Sequence, residues 1–388
     1  MKRLILLFAL LNARVFAQKP EKIYGITIQP HDVQYYNTQA GLWKAEVVKH
    51  PKDASAWENY YRAMRYGNEA YNKGNEDKQK VMKQIVDDMA KNVPATIEYY
   101  RCKLSFDGWP NKDTLGRVSM MNKALALAPN DRSVLEDYVV YCETSGHTEK
   151  LNAMATTLYK SNTYANGVME MGYNIMMSAD KNAIVFTCGD NDTFPEWLLQ
   201  EAKGVRTDLD IINIPLCMNF PNYLKRILKR KNIVLADDFW SREQSVKDMN
   251  ELMKMLALEI NKTNPDVPIC FAITCDLQSV FPDSLYCTGL TWLYSTVRID
   301  NMAKMKNNIE NHFHLDYLNG GIADENAISK DIVDDCNTLY VTPFALLYKH
   351  YKSMKESNDK TIFYKDFVMK YAVKAGKEQE MKEYLDGK

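Results

Sequence analysis

The stretch NAIVFTCGDNDTFPEWLLQEAKGVRTDLDIINIPLCM, residues 182–218, organises the chain around it. Within it, Ala183–Thr187 is a continuous apolar run, which is typical of a strand buried on both faces. Thr193 followed three residues later by Glu196 matches a capping box and predicts that a helix begins after the acidic loop. Asp210–Leu216 is the next apolar run and predicts a second strand. The order strand, acidic loop, helix, strand predicts a β-α-β unit.

The sequence that follows continues this alternation. Pro268–Cys275 predicts a third strand, and Leu285–Tyr294 is a further run rich in Tyr, Trp and Leu. Helical spacing of apolar residues resumes from Pro343 to Leu385. Strands that alternate with helices of this length predict an α/β module with a largely parallel sheet, followed by C-terminal helices.

Residues 38–163 have helical periodicity and almost no strand signal. Pro94 and Pro129 stand at two predicted helix starts and are 35 residues apart, close to the 34-residue tetratricopeptide period. A similar segment around Pro51 precedes Pro94 by 43 residues, so the array is irregular. Such helix pairs form a concave face that suits a protein partner. The alternative, that these helices only cap the next domain, stays open.

Composition excludes several function classes. The 388-residue chain has 49 basic and 50 acidic side chains, so no global field favours nucleic acid.

The first residues form a signal-peptide pattern, which consists of Lys2 and Arg3, the apolar run Ile5–Leu11 and the small residues that end at Ala17. The apolar run is shorter than the ~20 residues of a membrane span, and no cysteine stands at the cut. We therefore expect an exported protein that is periplasmic or envelope-associated, not a lipoprotein, and that has no spanning helix after cleavage.

These signals predict four segments along the chain. The first is a signal peptide, residues 1–17, and the second is a tetratricopeptide-like helical-repeat region, residues 18–165. The third is the α/β domain with the GDNDT loop, residues 166–342, and the fourth is a set of C-terminal helices, residues 343–388.

The segment GDNDTFPEWLLQEAKGVRTD, Gly189–Asp208, resembles the soluble C-terminal region of bacteroidete membrane proteins grouped as protein O-mannosyltransferase-like. The resemblance continues through PICFAIT, residues 268–274, and TGLTWLYSTVR, residues 288–298. It implies an envelope protein and an α/β module of unassigned role. The transferase chemistry of those proteins belongs to their multi-spanning part, which has no counterpart in this chain. Sugar transfer is therefore not carried over.

Loops at the carboxyl ends of parallel strands form binding crevices, which makes the acidic loop the candidate site. Its candidate ligand-binding residues are Asp190, Asn191, Asp192 and Thr193, with Asp276 after the third strand. Asp190 and Asp192 are the metal candidates, because carboxylate oxygens suit a divalent cation; they also suit sugar hydroxyls. No cofactor is predicted. The competing interpretation is that Asp192 and Thr193 only cap the helix.

Three predicted strands end in cysteine, at Cys188, Cys217 and Cys275. If the strands are parallel neighbours, these thiols cluster beside the acidic loop, and two of them could form a disulfide after export. Separate buried thiols are the favoured alternative, because a disulfide needs Cα atoms within ~7 Å.

Together these observations favour a noncatalytic binding or assembly protein of the cell envelope, with a protein partner bound through the helical repeats. The alternative is an enzyme acting on a glycan or glycosylated substrate, with Asp190, Asp192 and Asp276 holding a cation or acting as acid and base.

Overall fold

The computed structural model describes residues 19–67, 76–108, 114–243, 245–246, 248–275, 277, 279–319, 330–355 and 358–387. The predicted signal peptide lies outside these residues and stays a prediction. Two compact units divide the chain: residues 1–108 with 122–127, and residues 109–121 with 128–388. The predicted four-segment division, with its boundary at residue 165, likewise stays a prediction.

The first unit is helical. Its helices are α1 (Val33–Lys49), α2 (Ala54–Tyr66), α3 (Glu76–Asn92) and α4 (Ile97–Asp107). Asp32, Asp53 and Thr96 each start a helix by accepting a backbone N–H of its first turn. The core buries aromatic and sulfur side chains from three helices, among them Trp57, Met89 and Cys102. Burial of this apolar face stabilises the helices of the unit, because most helical stability in proteins comes from tertiary packing.

Three helices follow: α5 (Thr114–Leu127), α6 (Arg132–Ser145) and α7 (Thr148–Lys160). The two units divide α5 between residues 121 and 122, whereas α6 and α7 belong to the second unit. Asp131 caps α6 through the N–H of Val134, and α6 packs against α7. Helices therefore fill this region as predicted, and their assignment to the tetratricopeptide class stays a prediction.

The sheet lies in the second unit. Its strands are β1 (Ile184–Thr187), β2 (Asp210–Asn213), β3 (Ile269–Ala272), β4 (Leu285–Cys287) and β5 (Thr291–Tyr294), in the order β2-β1-β3-β5-β4. Strand β1 pairs in parallel with β2 and β3, in register Val185 to Ile211 and Val185 to Cys270. All residues of these three strands are buried, including those of β2 at the edge of the sheet. The predicted β-α-β arrangement holds for this half of the sheet.

The prediction of a largely parallel sheet is wrong for the other half. Strand β5 runs antiparallel to both β3 and β4, so the sheet is mixed. The residues predicted as one run, 285–294, form two strands joined at Gly289, whose φ of +133° is a conformation that favours glycine. A connection this short forces antiparallel pairing, because a parallel return needs a long crossover.

Helices surround the sheet in the second unit. Before β2 they are α8 (Asn166–Ser178) and α9 (Phe194–Lys203); between β2 and β3 they are α10 (Ile214–Asn219), α11 (Pro221–Arg230), α12 (Phe239–Glu243) and α13 (Met249–Thr263). After β5 come α14 (Asn301–Asn311), a 3-10 turn (Asp316–Asn319), α15 (Lys330–Thr338), α16 (Val341–Ser353), α17 (Asp359–Lys374) and α18 (Glu378–Asp386). The C-terminal helices are present as predicted. Among the described helices, none combines the length and the apolar composition that crossing a bilayer requires.

The C-terminal helices are joined to α8 by a buried polar contact. Phe344 of α16 and Phe367 of α17 pack with ring centroids 5.0 Å apart, and Tyr340 lies beside them. The Tyr340 hydroxyl accepts a hydrogen bond from Nδ2 of Asn174 in α8 at 2.7 Å. This contact fixes the position of α8, which forms part of the site described next.

Candidate functional site

Asp192 lies beneath the acidic loop, with 2% of its surface exposed. Its Oδ1 accepts the backbone N–H of Gly189 at 2.6 Å, and its Oδ2 accepts the N–H of Cys188 at 3.2 Å. The hydroxyl of Thr274, in the turn after β3, also donates to Oδ2. Burial raises the pKa of Asp192, and these hydrogen bonds oppose the shift. The carboxylate therefore holds the loop after β1 against the turn after β3.

The side chain of Thr193 is likewise engaged in hydrogen bonds within the protein, although it does not cap the helix as predicted. Its hydroxyl donates to the carbonyl oxygen of Gly189 at 2.6 Å and lies 2.7 Å from the hydroxyl of Thr187. Oγ1 also accepts Nδ2 of Asn213 at 3.0 Å, which connects the ends of β1 and β2. The predicted capping box is wrong: Thr193 makes no side-chain cap to α9, and Glu196 is buried instead of reaching back.

Asp190 differs from Asp192 because its side chain stays accessible. Burial is nevertheless the main cause that raises its pKa to about 6, followed by the negative charges of Glu136 and Asp192, while Arg132 opposes the shift. Protein atoms near this exposed residue replace part of the hydration of its carboxyl group. Asn191 is half-buried next to it.

The fifth predicted residue, Asp276, lies outside the described residues. Its predicted approach to Asp190 and Asp192 therefore stays a prediction. Within the described ranges, no group of three or more His, Cys, Asp or Glu side chains is arranged to hold a metal ion. The oxygens of Asp192 are engaged by the protein's own donors, which leaves Asp190 as the accessible carboxylate of the loop. A divalent cation at Asp190 and Asp192 stays a prediction.

The structure brings two of the three predicted cysteines together. Sγ of Cys188 lies 2.9 Å from Sγ of Cys275. Cys217 lies in α10, where it is fully buried, and its pKa is raised by burial and by the charge of Glu243. All eight cysteines are free thiols in this structure.

A cavity of about 550 Å³ opens beside α9, the helix that follows the acidic loop. Its walls come from the C-terminal end of α7, the connection 161–165, α8, α9 and residue 314. Leu198 and Leu199 supply apolar surface from α9, and both are buried. Concave sites of this volume, apolar with a few polar groups, are the usual form of ligand-binding sites.

A stacked pair of rings forms part of the cavity lining. The rings of Tyr173 and His314 are parallel within 10°, with centroids 3.9 Å apart. Nδ1 of His314 lies 2.7 Å from Oε2 of Glu170. The backbone of His314 is held on both sides by Asn174, whose Oδ1 accepts its N–H at 2.8 Å and whose Nδ2 donates to its C=O at 2.9 Å. These contacts fix the aromatic surface before any ligand arrives.

Two lysines also line the cavity. Lys160 and Lys203 are both exposed, and Nζ of Lys203 lies 5.4 Å from the centroid of the Tyr159 ring. Glu170 is the acidic residue of the lining, and it is already paired with His314. The two lysine charges therefore dominate the rim, which favours a ligand that carries negative charge.

Tyr164 connects the cavity wall to the surroundings of the acidic loop. Its hydroxyl donates to Oε1 of Glu136 at 2.5 Å, and the Arg132 guanidinium lies 3.8 Å from its ring centroid. Nε of Arg132 donates to the same Glu136 oxygen at 2.7 Å. Arg132 and Glu136 are the charges that act on Asp190, so the loop and the cavity share one electrostatic environment.

Sequence reasoning missed the residues of this cavity. Tyr159, Tyr173 and Lys203 come from three helices that only the packing brings together, so no local pattern groups them. His314 lies after α14, far along the chain from the other lining residues.

Residues 168–264 match TMEM260-associated domain 2. The matched range begins in α8, includes the acidic loop and ends at the close of α13, so it contains two of the five strands. It overlaps the range for which the sequence predicts a relationship to the O-mannosyltransferase-like proteins. Among curated proteins, none matches this chain.

Proposed function

We propose that this protein is a noncatalytic, exported binding component of the cell envelope, and that the cavity beside α9 binds an acidic segment of a protein partner. The observation that carries the proposal is the cavity itself, whose lining combines a preformed aromatic surface with two exposed lysines. Export is supported by the signal-peptide pattern of residues 1–17.

The geometry of the acidic loop supports a noncatalytic role. A catalytic or cation-binding carboxylate needs oxygens that a substrate or ion can reach, whereas Asp192 is buried and accepts three hydrogen bonds from the protein. Thr193 is likewise used to join strand ends. The segment shared with TMEM260-associated domain 2 thus acts as a structural joint that positions α9.

The composition of the cavity supports an extended acidic peptide as its ligand. Backbone and side-chain amides of a peptide would find hydrogen-bonding partners at the exposed Asn162 and Asn166, and its apolar side chains would contact Leu198 and Leu199. The carboxylates of the peptide would form ion pairs with Lys160 and Lys203. Because exposed ion pairs each contribute under ~1 kcal/mol, the aromatic and apolar surface supplies most of the affinity.

Photo-crosslinking in native envelopes tests this proposal. A benzoylphenylalanine is placed at Asn162 on the cavity rim or, as a control, at Lys254, an exposed residue of α13. We expect one discrete protein adduct from position 162 that disappears in the Lys160→Glu, Lys203→Glu double variant and persists in Lys254→Glu. An adduct that is equally strong from both positions, or that survives charge reversal at the rim, contradicts the proposal.

Asp190 favours a second candidate, an enzyme acting on a glycan or glycosylated substrate. A carboxyl group that is accessible and whose pKa is raised to about 6 suits general acid–base catalysis near neutral pH. Hydrolysis of an envelope glycan by the purified protein, abolished in Asp190→Asn, would support this candidate. No difference between the two proteins on the same glycan would remove it.

A further inference from the structure

The thiols of Cys188 and Cys275 form a cluster that the proposed function does not use. Strands β1 and β3 are parallel neighbours with Phe186 opposite Phe271, so Cys188 and Cys275 both lie just beyond paired strand ends. A turn closed by the Cys275 N–H and the Ala272 carbonyl oxygen, 2.9 Å apart, carries Cys275 back toward β1. Its Sγ there lies 3.7 Å from the carbonyl oxygen of Phe186.

The two sulfur atoms are 2.9 Å apart, about 0.9 Å more than the ~2.05 Å of a disulfide bond. Closing the bond therefore needs the two sulfur atoms to approach each other by that distance. Sδ of Met253 lies 4.0 Å from Sγ of Cys188 and completes a sulfur-rich environment.

We propose that Cys188 and Cys275 are a redox modification site, which an exogenous disulfide converts into an intramolecular disulfide that locks the acidic loop to the turn after β3. The other cysteines near the sheet, Cys217, Cys270 and Cys287, are each buried and stay thiols. The proposal is independent of the cavity and of its ligand.

Exposure assigns the order of the two steps. Cys188 is partly accessible, whereas Cys275 is 2% exposed, so the Cys188 thiolate attacks the external disulfide first. A mixed disulfide forms on Cys188 and one thiolate of the oxidant leaves. The Cys275 thiolate then attacks Sγ of Cys188 and displaces the second thiolate. Two protein thiols are oxidised, one external disulfide is reduced to two thiols, and the two protein protons go to solvent or to those thiolates.

The disulfide would constrain two of the groups that donate hydrogen bonds to Asp192. The backbone N–H of Cys188 and the hydroxyl of Thr274, the residue before Cys275, both donate to Oδ2 of Asp192. A covalent bridge between the two cysteines holds both donors in place. Reduction leaves only the hydrogen bonds, so the backbone amides of Cys188 and Gly189 should exchange with solvent faster in the dithiol form.

The test is to incubate the folded chain with glutathione disulfide and then alkylate all remaining thiols under denaturing conditions. We expect all but two of the eight thiols to be alkylated in the wild type. Cys188→Ser should lose no thiol on oxidation, and Cys275→Ala should lose at most one, as a glutathione mixed disulfide on Cys188, whereas the control Cys102→Ser should still lose two. Circular dichroism of each variant confirms folding.

Peptide mapping identifies the partners. Cleavage after aromatic residues and leucine gives Thr187–Trp197, in which Cys188 is the single cysteine, and Ala272–Leu277, in which Cys275 is the single cysteine. We expect these two peptides to be joined, and amide exchange at 188–189 to slow at least tenfold on oxidation. Eight alkylated thiols after oxidation, a bridge to another cysteine, or unchanged amide exchange would each overturn the proposal.

Discussion

Replacing Asp192 by alanine should loosen the joint between β1 and β3, because three donors lose their acceptor at once. These donors are the backbone N–H groups of Cys188 and Gly189 and the hydroxyl of Thr274. The hydroxyl can rotate toward another acceptor, and the exposed Gly189 can reach water. The half-buried N–H of Cys188 keeps most of its desolvation cost.

An unsatisfied buried donor costs about 1–3 kcal/mol, so we expect a loss of about 2–4 kcal/mol for Asp192→Ala. For Asp192→Asn the expected loss is about 1–2 kcal/mol, because the amide keeps one oxygen as acceptor but turns an NH₂ group toward the remaining donors. At ~1.4 kcal/mol for each tenfold change, the alanine variant should exchange the amides of Val185–Thr187 about 30- to 700-fold faster.

Native-state hydrogen exchange read by mass spectrometry suits this measurement, because it reports on β1 alone. Global unfolding of a chain with two compact units has no single free energy. Asp190→Asn is the matched control: it removes a carboxylate from the same loop, and its side chain is accessible. Exchange of β1 within twofold of the wild type in Asp192→Ala, or equal acceleration in Asp190→Asn, would refute the bracing role.

Four further predictions follow from the same geometry. The pKa of Asp190 is raised to about 6 from 3.8, so its contribution to stability is present at low pH and lost as pH rises toward 6. The difference between the urea midpoint of Asp190→Asn and that of the wild type should therefore increase in favour of the variant from pH 4 to pH 7. Both carboxylate oxygens of Glu196 are buried without a hydrogen-bond partner, and burial raises its pKa. In the same assay, the urea midpoint of Glu196→Gln should rise relative to that of the wild type from pH 5 to pH 9. Gly172→Ala should destabilise the packing of α8 against α9 by about 1–3 kcal/mol, measured as faster amide exchange in these two helices, because the new Cβ would lie 2.5 Å from Cβ of Pro195. The bridge from Cys188 closes a span of 87 residues, so oxidation should raise the urea midpoint by the equivalent of up to about 4–5 kcal/mol, an increase that is absent in Cys188→Ser.

Local sequence predicted the parts of this protein whose signals are local. The continuous apolar runs at Ala183–Thr187 and Ile269–Ala272 became buried parallel strands, because runs without alternation fit only positions covered on both faces. Helical periodicity likewise predicted the helices that precede and follow the strands along the chain. The direction of β5 depended on how residues 288–290 turn, and Gly289 was the one local sign of that turn.

The acidic loop shows where sequence information ends. Its residues established the resemblance, and the match of residues 168–264 to TMEM260-associated domain 2 supports a relationship there. Thr193 and Glu196 have the spacing of a capping box, yet Asn213 and Thr187 compete successfully for the threonine hydroxyl. That competition depends on the pairing of β1 with β2, which no local pattern contains.

The amino-acid sequence by itself determined the alternation of the first three strands with helices, the acidic character of the loop and the presence of cysteines near strand ends. Only the tertiary structure decided that Asp192 serves as an internal brace, that Cys275 and not Cys217 meets Cys188, and that Tyr159, Tyr173 and His314 line one cavity. The physical reason is distance along the chain. Backbone preferences and apolar periodicity act over a few residues. The contacts of Asp192 with Thr274, of Cys188 with Cys275 and of Tyr173 with His314 instead join residues 82, 87 and 141 positions apart, and their geometry exists only after the core has packed.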